Sequence, residues 1–306
     1  MTGWAAHFRS NNGIKGGVMY KRVLVATGGS PWSDAAVAYA IAWAACTGAE
    51  LRILTVLASP VAYTMPDVMS SSELLMESIE RQGQELLDRV AAQAERAGIG
   101  YSTLLKWGNV PETILQTAAE EECDLITLGS RVVTGLKRLM VGRTLNAVAA
   151  KAQRPVLVIK HPPASPPGLG LWRRILIATG GSPWSDVAVD HALDLARKQG
   201  LEVCLLSVDS RRARSVLLSA TSVIKDTLAL AEARAAAAGV TYEARLAYGN
   251  VADAIRETAV GRACDAIVLG SRGLTGFKRL MIGSISNAVT AKTLLPVLIV
   301  KRFLLA

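Results

Sequence analysis

The feature that most constrains this chain is an internal repeat. Residues 23–34 read VLVATGGSPWSD and residues 175–186 read ILIATGGSPWSD, an offset of 152 positions. Later matches, such as the two GNV segments, are offset by 141 positions instead. Self-similarity at this distance predicts two copies of one domain. The extra residues of repeat 1 fall at 58–70, a segment with two prolines that we expect to form a longer loop.

Changes in composition mark the limits of the two copies. Residues 1–18 are rich in Gly and Asn without periodicity, and residues 161–172 begin with HPPASPPG. Proline cannot continue a helix and favours an extended connector. We therefore predict a flexible N-terminal tail at 1–18, a first domain at 19–160, a Pro-rich linker at 161–172 and a second domain at 173–306.

Each repeat alternates short apolar runs with helix-forming segments. In repeat 2, residues 174–179 and 203–208 suit buried strands, and Ser182 followed by Pro183 suits a helix start. Such alternation implies a parallel sheet with right-handed crossovers. The prediction is an α/β fold of two tandem open-sheet domains. Each domain has a five-stranded parallel sheet flanked by four helices, as in Rossmann-like nucleotide-binding folds.

The chain carries 34 Lys and Arg against 25 Asp and Glu, a net charge of +9. The excess lies in the second half, because residues 19–160 hold 14 of each sign and residues 173–306 hold 18 against 11. A basic half favours either an anionic partner or a solvated surface. Neither aromatic-basic interleaving nor a helix-turn-helix or zinc-finger spacing occurs, so no specific nucleic-acid partner is expected.

Cysteine usage and hydropathy bear on the compartment. The four cysteines form neither a CxxC pair nor a Cys/His cluster, which favours buried thiols in a reducing environment. The longest uncharged run, residues 35–49, has 15 residues, whereas a membrane span needs about 20. With no signal-peptide pattern, we expect a cytoplasmic protein without a membrane span.

The motif with chemical content follows the fourth strand of repeat 2. It reads G-x2-G-x9-G-S and consists of Gly270, Gly273, Gly283 and Ser284. Glycines at the end of a strand let backbone amides approach phosphate oxygens, and the free N–H groups of a helix start hold anions. The pattern therefore favours phosphate binding over a Gly-rich surface turn.

Repeat 1 is an internal control for this motif. At the matching positions it has Gly129, Val132, Gly142 and Arg143. A valine β-carbon crowds a contact between backbone and phosphate, and Arg143 adds bulk at the helix start. We predict that repeat 2 binds one nucleotide phosphate chain and that repeat 1 binds none or binds it far more weakly. The alternatives for Arg143 are a surface salt bridge or direct contact with a phosphate.

These segments together resemble the universal stress protein family in its tandem two-domain form. The resemblance rests on ATxGSxxS after strand one, GNV before helix three, the G-x2-G-x9-G-S loop and the final strand PVLIVK, and it spans nearly the whole chain from Met19. It implies a domain that binds ATP where the phosphate loop is intact, with or without Mg²⁺. It also implies that the last strands of the two domains pair, so that a tandem chain resembles an internal dimer.

The same resemblance implies a set of nucleotide contacts in repeat 2. Those on the adenosine side are Ala178, Thr179, Gly180 and Val208, and those around ribose and phosphates are Gly270, Arg272, Gly273, Gly283, Ser284, Ile285 and Ser286. One position departs from the family, which has Asp after the strand-one Thr where this chain has Gly28 and Gly180. A carboxylate that could accept hydrogen bonds from base or ribose is lost, which leaves adenine specificity open.

The expected function is that of a stress-response protein that binds ATP in its second domain and acts as a regulatory module without efficient catalysis. An enzyme, either a weak ATP hydrolase or a relative of the ATP pyrophosphatases, is one alternative. Residues 179–182 partly match the SGGxDS loop of those enzymes, but Pro183 and Trp184 stand where Asp and Ser are needed. Paired carboxylates and metal-ligand spacing are absent from the sequence. A ligand-free interaction scaffold is the other alternative.

Three further predictions concern surfaces. The last strands, residues 156–160 and 297–301, are the most apolar, and we expect them to pair the two domains. The first helix of repeat 1, residues 35–45, has no polar face, so we expect it to be covered by repeat 2, by the 58–70 loop or by a second chain, and we favour a homodimer contact. The arginines within residues 211–214 are expected to attract the anion.

Overall fold

The structure is a computed structural model that describes residues 20–58, 69–131, 142–161, 171–210, 218–271 and 283–301. Repeat 1 contains β1 (Arg22–Ala26), α1 (Pro31–Thr47), β2 (Glu50–Leu57), α2 (Met69–Arg96), β3 (Tyr101–Trp107), α3 (Val110–Glu120), β4 (Leu125–Gly129), α4 (Arg143–Lys151) and β5 (Val156–Ile159). Repeat 2 contains β6 (Arg174–Thr179), α5 (Pro183–Gln199), β7 (Glu202–Asp209), α6 (Leu218–Ala237), β8 (Tyr242–Tyr248), α7 (Val251–Gly261), β9 (Ala266–Gly270), α8 (Ser284–Lys292) and β10 (Val297–Val300).

All ten strands form one sheet in the order β3-β2-β1-β4-β5-β10-β9-β6-β7-β8. Neighbouring strands within each repeat are parallel, whereas β5 and β10 are antiparallel, with Val297 opposite Val158 and Ile299 opposite Val156. The predicted α/β fold of two tandem five-stranded domains is confirmed. Apolar side chains on the two faces of the sheet form two cores, and both cores include residues of both repeats.

The ends of the first helices follow from their sequence. At the start of α5 the Ser182 side chain accepts a hydrogen bond from the backbone of Ser185, and the Ser185 side chain accepts one from the backbone of Ser182. This reciprocal cap satisfies two amides that a helix start leaves free. Gly200 ends the helix in the left-handed region at φ 67°. The start at Ser182-Pro183 and the end at Gly200 lie where the sequence predicts them.

The fifth strands are shorter than predicted and end one residue before a lysine. Lys160 and Lys301 lie just past β5 and β10, with 2% and 8% of their surfaces exposed. The Lys301 ammonium donates to the carbonyl of Ala149 in the last turn of α4, where helix carbonyls lack partners and favour cations. Burial lowers the pKa of Lys160 to about 8. The joint between the domains therefore contains two buried lysines in addition to apolar side chains.

Aromatic residues link the two repeats beside this joint. Tyr20, just before β1, is hydrogen-bonded to His191 of α5, with 2.5 Å between the hydroxyl oxygen and Nε2. Trp172 occupies the same place before β6, and its ring lies 5.2 Å from that of Trp43 in α1. Trp172 also lies beside Tyr39 of α1, where burial raises the pKa of Tyr39 and Trp172 opposes that rise. The residue before the first strand of each repeat thus reaches the first helix of the other repeat.

The burial of α1 bears on the predicted homodimer contact, which stays a prediction. The helix has no polar face, as predicted, but it is already buried within a single chain: Ala42 is 8% exposed and Trp43 is 1% exposed. The exposed apolar stripe that favoured a second chain is therefore not present at Ala42. Trp43 of α1 packs on Trp172, which precedes β6. This contact agrees with the predicted alternative in which repeat 2 covers α1.

Candidate functional site

The candidate site lies where the strand order of repeat 2 reverses. The chain passes from β6 outward to β7 and β8, and then returns to place β9 on the other side of β6. Ala178 of β6 pairs with Leu269 of β9, so the loops that follow these two strands begin side by side. In open α/β sheets, ligands bind in the crevice at such a reversal, outside the carboxyl ends of the strands.

The loop after β6 forms one wall of this crevice. Gly181 has φ +70°, and a β-carbon there would lie 2.8 Å from Oγ1 of Thr227 in α6, so this glycine is needed both for the turn and for close packing. A β-carbon at Gly180 would meet nothing within 4 Å. The position at which the sequence departs from the family pattern therefore has room for a larger side chain.

Thr179 and Val208 occupy different environments beside this loop. Thr179 is 4% exposed, and its hydroxyl finds no hydrogen-bond partner in the part of the chain that the structure describes. Ser207 of β7 donates to the Thr179 carbonyl over 3.2 Å, which fixes the end of β6 against β7. Val208, the next residue, is half-buried on the other face of β7, where it packs at the margin of the core that faces α7 and α8.

The start of α8 forms the opposite wall. The Gly283 amide donates to the Ser271 carbonyl over 2.9 Å, and the Ser286 hydroxyl donates to the Gly270 carbonyl over 2.7 Å. These two bonds hold the first turn of α8 on the end of β9. Gly283 is the N-cap and supplies no side-chain hydrogen bond, so no cap side chain within the described residues competes with an anion for the first-turn amides of α8. Ser284 and Ile285 are exposed, whereas Ser286 is 3% exposed and serves the tie to Gly270.

Gly270 has a structural role that repeat 1 shares. A β-carbon at Gly270 would lie 2.5 Å from the carbonyl oxygen of Trp184, and one at Gly129 would lie 2.1 Å from that of Trp32. The first turn of the first helix therefore rests directly on the end of strand four in both repeats. From the sequence, Gly270 was predicted to let the backbone come close to a phosphate group. The structure shows that the packing of α5 on the end of β9 already requires a glycine at this position.

Part of the predicted site lies outside the described residues. Arg272 and Gly273 belong to this part, as do Val132 of repeat 1 and the arginines within residues 211–214. Of the predicted contacts, the structure brings together those at the end of β6, at the end of β9 and at the start of α8. Their role in ligand binding stays a prediction.

Two residues at this crevice were not predicted. Asp209, 6% exposed at the end of β7, stands where repeat 1 has Leu57. Asn287 lies in the first turn of α8, and its Oδ1 has no hydrogen-bond partner among the residues described. Asn287 could have been singled out from the sequence, because repeat 1 has the same residue, Asn146, at the equivalent position after Gly142. Asp209 has no such signal, since the repeats differ there.

The corresponding crevice of repeat 1 is lined differently. The guanidinium of Arg131 stacks on the ring of Trp32 at 4.7 Å, a cation–π contact that holds a positive charge beside the end of β4. Gly142 gives α4 no side-chain cap, and Arg143 follows it as an exposed residue. Leu145, 3% exposed, replaces Ser286, so the hydroxyl tie of repeat 2 has no counterpart here.

The described residues also bear on metal binding and on contact with a membrane. Within the described ranges, no group of three His, Cys, Asp or Glu side chains is placed to hold a metal ion. All four cysteines are free thiols; Cys46 is half-buried and the other three are buried. None of the helices, as far as the structure describes them, combines the length and apolarity needed to cross a membrane.

Comparison with known proteins identifies the class of this chain. The model of the universal stress protein family matches residues 19–160 and again residues 171–301. The chain therefore belongs to the universal stress protein family, with two tandem matches to the family domain.

Relatives of similar length exist in mycobacteria. A universal stress protein of Mycolicibacterium smegmatis is 26% identical over 290 residues, which covers 91% of this chain and 96% of the relative. One from Mycobacterium tuberculosis is 27% identical over 290 residues and covers 92% of this chain and 97% of the relative. The crystal structure of a universal stress protein from Archaeoglobus fulgidus aligns over 93% of this chain and 97% of its own, with a TM-score of 0.70 and 22% identity. This last likeness supports the fold.

Proposed function

We propose that the second domain binds a nucleotide, ATP, in the crevice between β6 and β9. One observation carries the proposal: the start of α8 is fixed on the end of β9 by two hydrogen bonds, while its N-cap, Gly283, leaves the first-turn amides without a side-chain cap. Amides of this kind, together with the positive end of the helix dipole, bind phosphate oxygens. The exposed Ser284 hydroxyl adds a donor at the same end.

The proposed contacts divide along the crevice. In this proposal Gly283, Ser284 and Ile285 bind the distal phosphates. Arg272 and Gly273, which lie outside the described residues, contribute further contacts to the phosphate chain. Ala178, Thr179, Gly180 and Val208 line the adenosine side, with Gly180 leaving space beside the base or ribose. Mg²⁺ would be bound through the phosphates, since it commonly binds through substrate phosphates and water rather than through a protein cage.

We further propose a regulatory role in the cytoplasm without efficient turnover of the nucleotide. The proposal rests on family membership and on the amides at the start of α8, which are donors suited to phosphate. The two domains act as a pseudo-dimer in solution, joined through β5 and β10. A scaffold without ligand is the alternative that the following experiment separates.

The test combines ligand identification with a turnover assay. Native protein is purified without added nucleotide, denatured and analysed by mass spectrometry for released small molecules. Retained ATP supports the proposal, and a full-length folded protein that neither retains nor takes up any nucleotide supports the scaffold. Steady-state ATP hydrolysis is then measured for the wild type and for Gly273→Val with Mg²⁺ present. Turnover well above that of the variant would establish the enzyme instead.

A further inference from the structure

The outward face of α6 differs in character from that of α2, its counterpart in repeat 1. Both helices cover the same part of their domain, and alignment at an offset of 141 matches them residue by residue. Six exposed positions of α6 carry apolar residues: Val223, Ala229, Leu230, Ala233, Ala236 and Ala237. Five of the matching positions of α2 are exposed and polar or charged, namely Gln82, Asp88, Arg89, Glu95 and Arg96, and the sixth is the half-buried Ala92. The exposed apolar residues of α2, Leu74, Leu75 and Met76, lie nearer its N-terminal end.

Two of these residues border a groove. Val223 and Leu230 are 62% and 53% exposed and stand seven positions apart, so they lie on one side of α6. Between them Thr227 opens a groove of about 280 Å³, whose lining is completed by Gly181, Asp186 and Asp226. In repeat 1 the place of Thr227 is taken by Leu86, 9% exposed, whose Cδ2 would lie 3.6 Å from a β-carbon at Gly29. At this position repeat 1 therefore has a buried leucine, whereas repeat 2 has a half-buried threonine at the border of the groove.

The charges around the groove are acidic, although the second domain is basic as a whole. Asp186 and Asp226 line it, and Asp190 lies one turn beyond Asp186 on α5. Arg234 is shared by two of these carboxylates, at 3.9 Å from Asp186 and 3.2 Å from Asp190. Asp226 is exposed on α6 beside the apolar residues. An occupant with apolar residues and positive charges would complement this arrangement.

We propose that the α6 surface, defined by Val223, Thr227 and Leu230 with Asp186 and Asp226 at its margin, docks an amphipathic helix of a partner protein that has Lys or Arg beside its apolar stripe. A helix that docks in a groove presents its own apolar anchors at i, i+3 or i+4 and i+7, and the row of Val223, Thr227 and Leu230 extends over the same two turns of α6. A second copy of the chain fits less well, because a two-fold contact would bring the same carboxylates together.

The test uses a synthetic peptide as the probe and does not depend on nucleotide binding. The peptide is an amphipathic helix of five turns, about 18 residues, built from Leu on one face and Lys on the other. Two control peptides have Glu in place of Lys, or the same residues in a non-amphipathic order. Binding is measured by fluorescence anisotropy on full-length, nucleotide-free protein at about 0.15 M ionic strength.

The matched variants exchange residues between the repeats. Val223→Gln with Leu230→Arg gives α6 the residues that α2 carries at the same places, so the helix is expected to fold. We expect this double variant to bind the Lys peptide at least about tenfold more weakly than the wild type. Asp226→Asn should weaken binding by a smaller factor, and neither control peptide should bind comparably. Substitutions on α2, Arg89→Ala and Asp88→Ala, should leave binding unchanged.

Several outcomes would overturn the docking proposal. Equal binding by the wild type and the double variant would show that the α6 surface is not used. Equal binding of the Glu and Lys peptides would show that the carboxylates do not select the partner. Self-association of the wild type in sedimentation, lost in the double variant, would show a contact between copies of the chain. If the double variant unfolds, amide hydrogen exchange of the wild-type protein tests the proposal instead. The Lys peptide must slow exchange in α6 and leave exchange in α2 unchanged.

Discussion

The two domains share one backbone plan and differ in what their loops and surfaces present. Both need a glycine at the end of strand four, because Gly129 and Gly270 lie against the first turn of the first helix. Only the second domain follows this glycine with a hydroxyl tie, Ser286 to Gly270, and an exposed serine at the start of α8. The comparison teaches that Gly129 and Gly270 serve the fold in both repeats, whereas Ser284, which repeat 1 replaces with Arg143, is a candidate for ligand binding.

The joint between the domains shows the same kind of difference. Each repeat places an aromatic residue, Tyr20 or Trp172, against the first helix of the other repeat. Tyr20 contacts His191, and Trp172 contacts Tyr39. The two contacts occupy equivalent places in the joint but involve different side chains. Of these two partners only His191 is an imidazole, and burial lowers its pKa to about 4.

The largest effect is expected from charges in the paired fifth strands. Val158 and Ile299 are each fully buried in the structure, so replacing both with Asp places two carboxylates in the joint and should cost more than about 4 kcal/mol of unfolding free energy. Urea denaturation measures the loss, and small-angle scattering should show a larger radius as the domains separate. Thr103→Asp on the edge strand β3 is the control and should change neither quantity. An unchanged radius with full stability would refute pairing through these strands.

The contact between Tyr20 and His191 predicts that the stability of the fold depends on pH. Burial lowers the pKa of His191 to about 4, while an unfolded histidine titrates near 6.5, so the unfolded state binds the proton more readily. Stability should therefore fall as pH drops from about 6.5 to 4, by up to about 3 kcal/mol. Below that window, Asp194 contributes through its own lowered pKa. His191→Gln keeps a hydrogen-bonding group beside Tyr20 and should flatten the profile between pH 6.5 and 4; an identical slope in both proteins would contradict the assignment.

Four glycine substitutions separate folding from ligand binding. Gly129→Ala and Gly270→Ala should each destabilise the protein by about 2 kcal/mol, because the new methyl group meets a backbone carbonyl. Gly28→Ala and Gly180→Ala, which meet nothing within 4 Å, should be close to neutral. Thermal or denaturant unfolding of the four variants decides. If Gly129→Ala were harmless while Gly270→Ala abolished nucleotide binding without loss of stability, the glycine of strand four would belong to the ligand.

The smallest effect concerns the choice of base. Gly180→Asp restores the carboxylate that the family has after the strand-one threonine, and the position has room for it. One charge-assisted hydrogen bond to ribose or base should raise ATP affinity by about tenfold, or about 1.4 kcal/mol. Gly28→Asp in repeat 1 is the matched control and should leave affinity unchanged. Calorimetric titration with ATP and GTP measures both affinity and selectivity; equal gains from the two variants would place the adenosine elsewhere.

The fold was largely predictable from sequence because periodicity, caps and repeats agree. The strand at 174–179 has the bounds that its apolar pattern predicts, and β7, Glu202–Asp209, extends one residue beyond each end of the predicted 203–208. The serine cap and the terminal glycine of α5 were predictable for the same reason: local chemistry specifies them. Strand five was predicted one residue too long, since burial of Lys160 and Lys301 depends on the other domain and leaves no local signal.

The candidate site was predictable in position and only partly in role. Chain topology places the ends of β6 and β9 together, and the motif marks the start of α8. The packing role of Gly270 was not predictable, because the carbonyl it meets belongs to Trp184, far away in sequence. The burial of α1 was predicted, but the part of the molecule that packs against it was not. An apolar helix face indicates that a neighbour covers it and does not identify that neighbour.

Calorimetric titration of the full chain with ATP tests the central claim, that only the second domain binds the phosphate chain. The account predicts about one site per chain for the wild type and none for Gly273→Val or Ser284→Arg, which copy Val132 and Arg143 of repeat 1. The reciprocal graft, Val132→Gly with Arg143→Ser, should raise the stoichiometry toward two. Two equal sites in the wild type, or unaltered binding in Gly273→Val, would contradict the account.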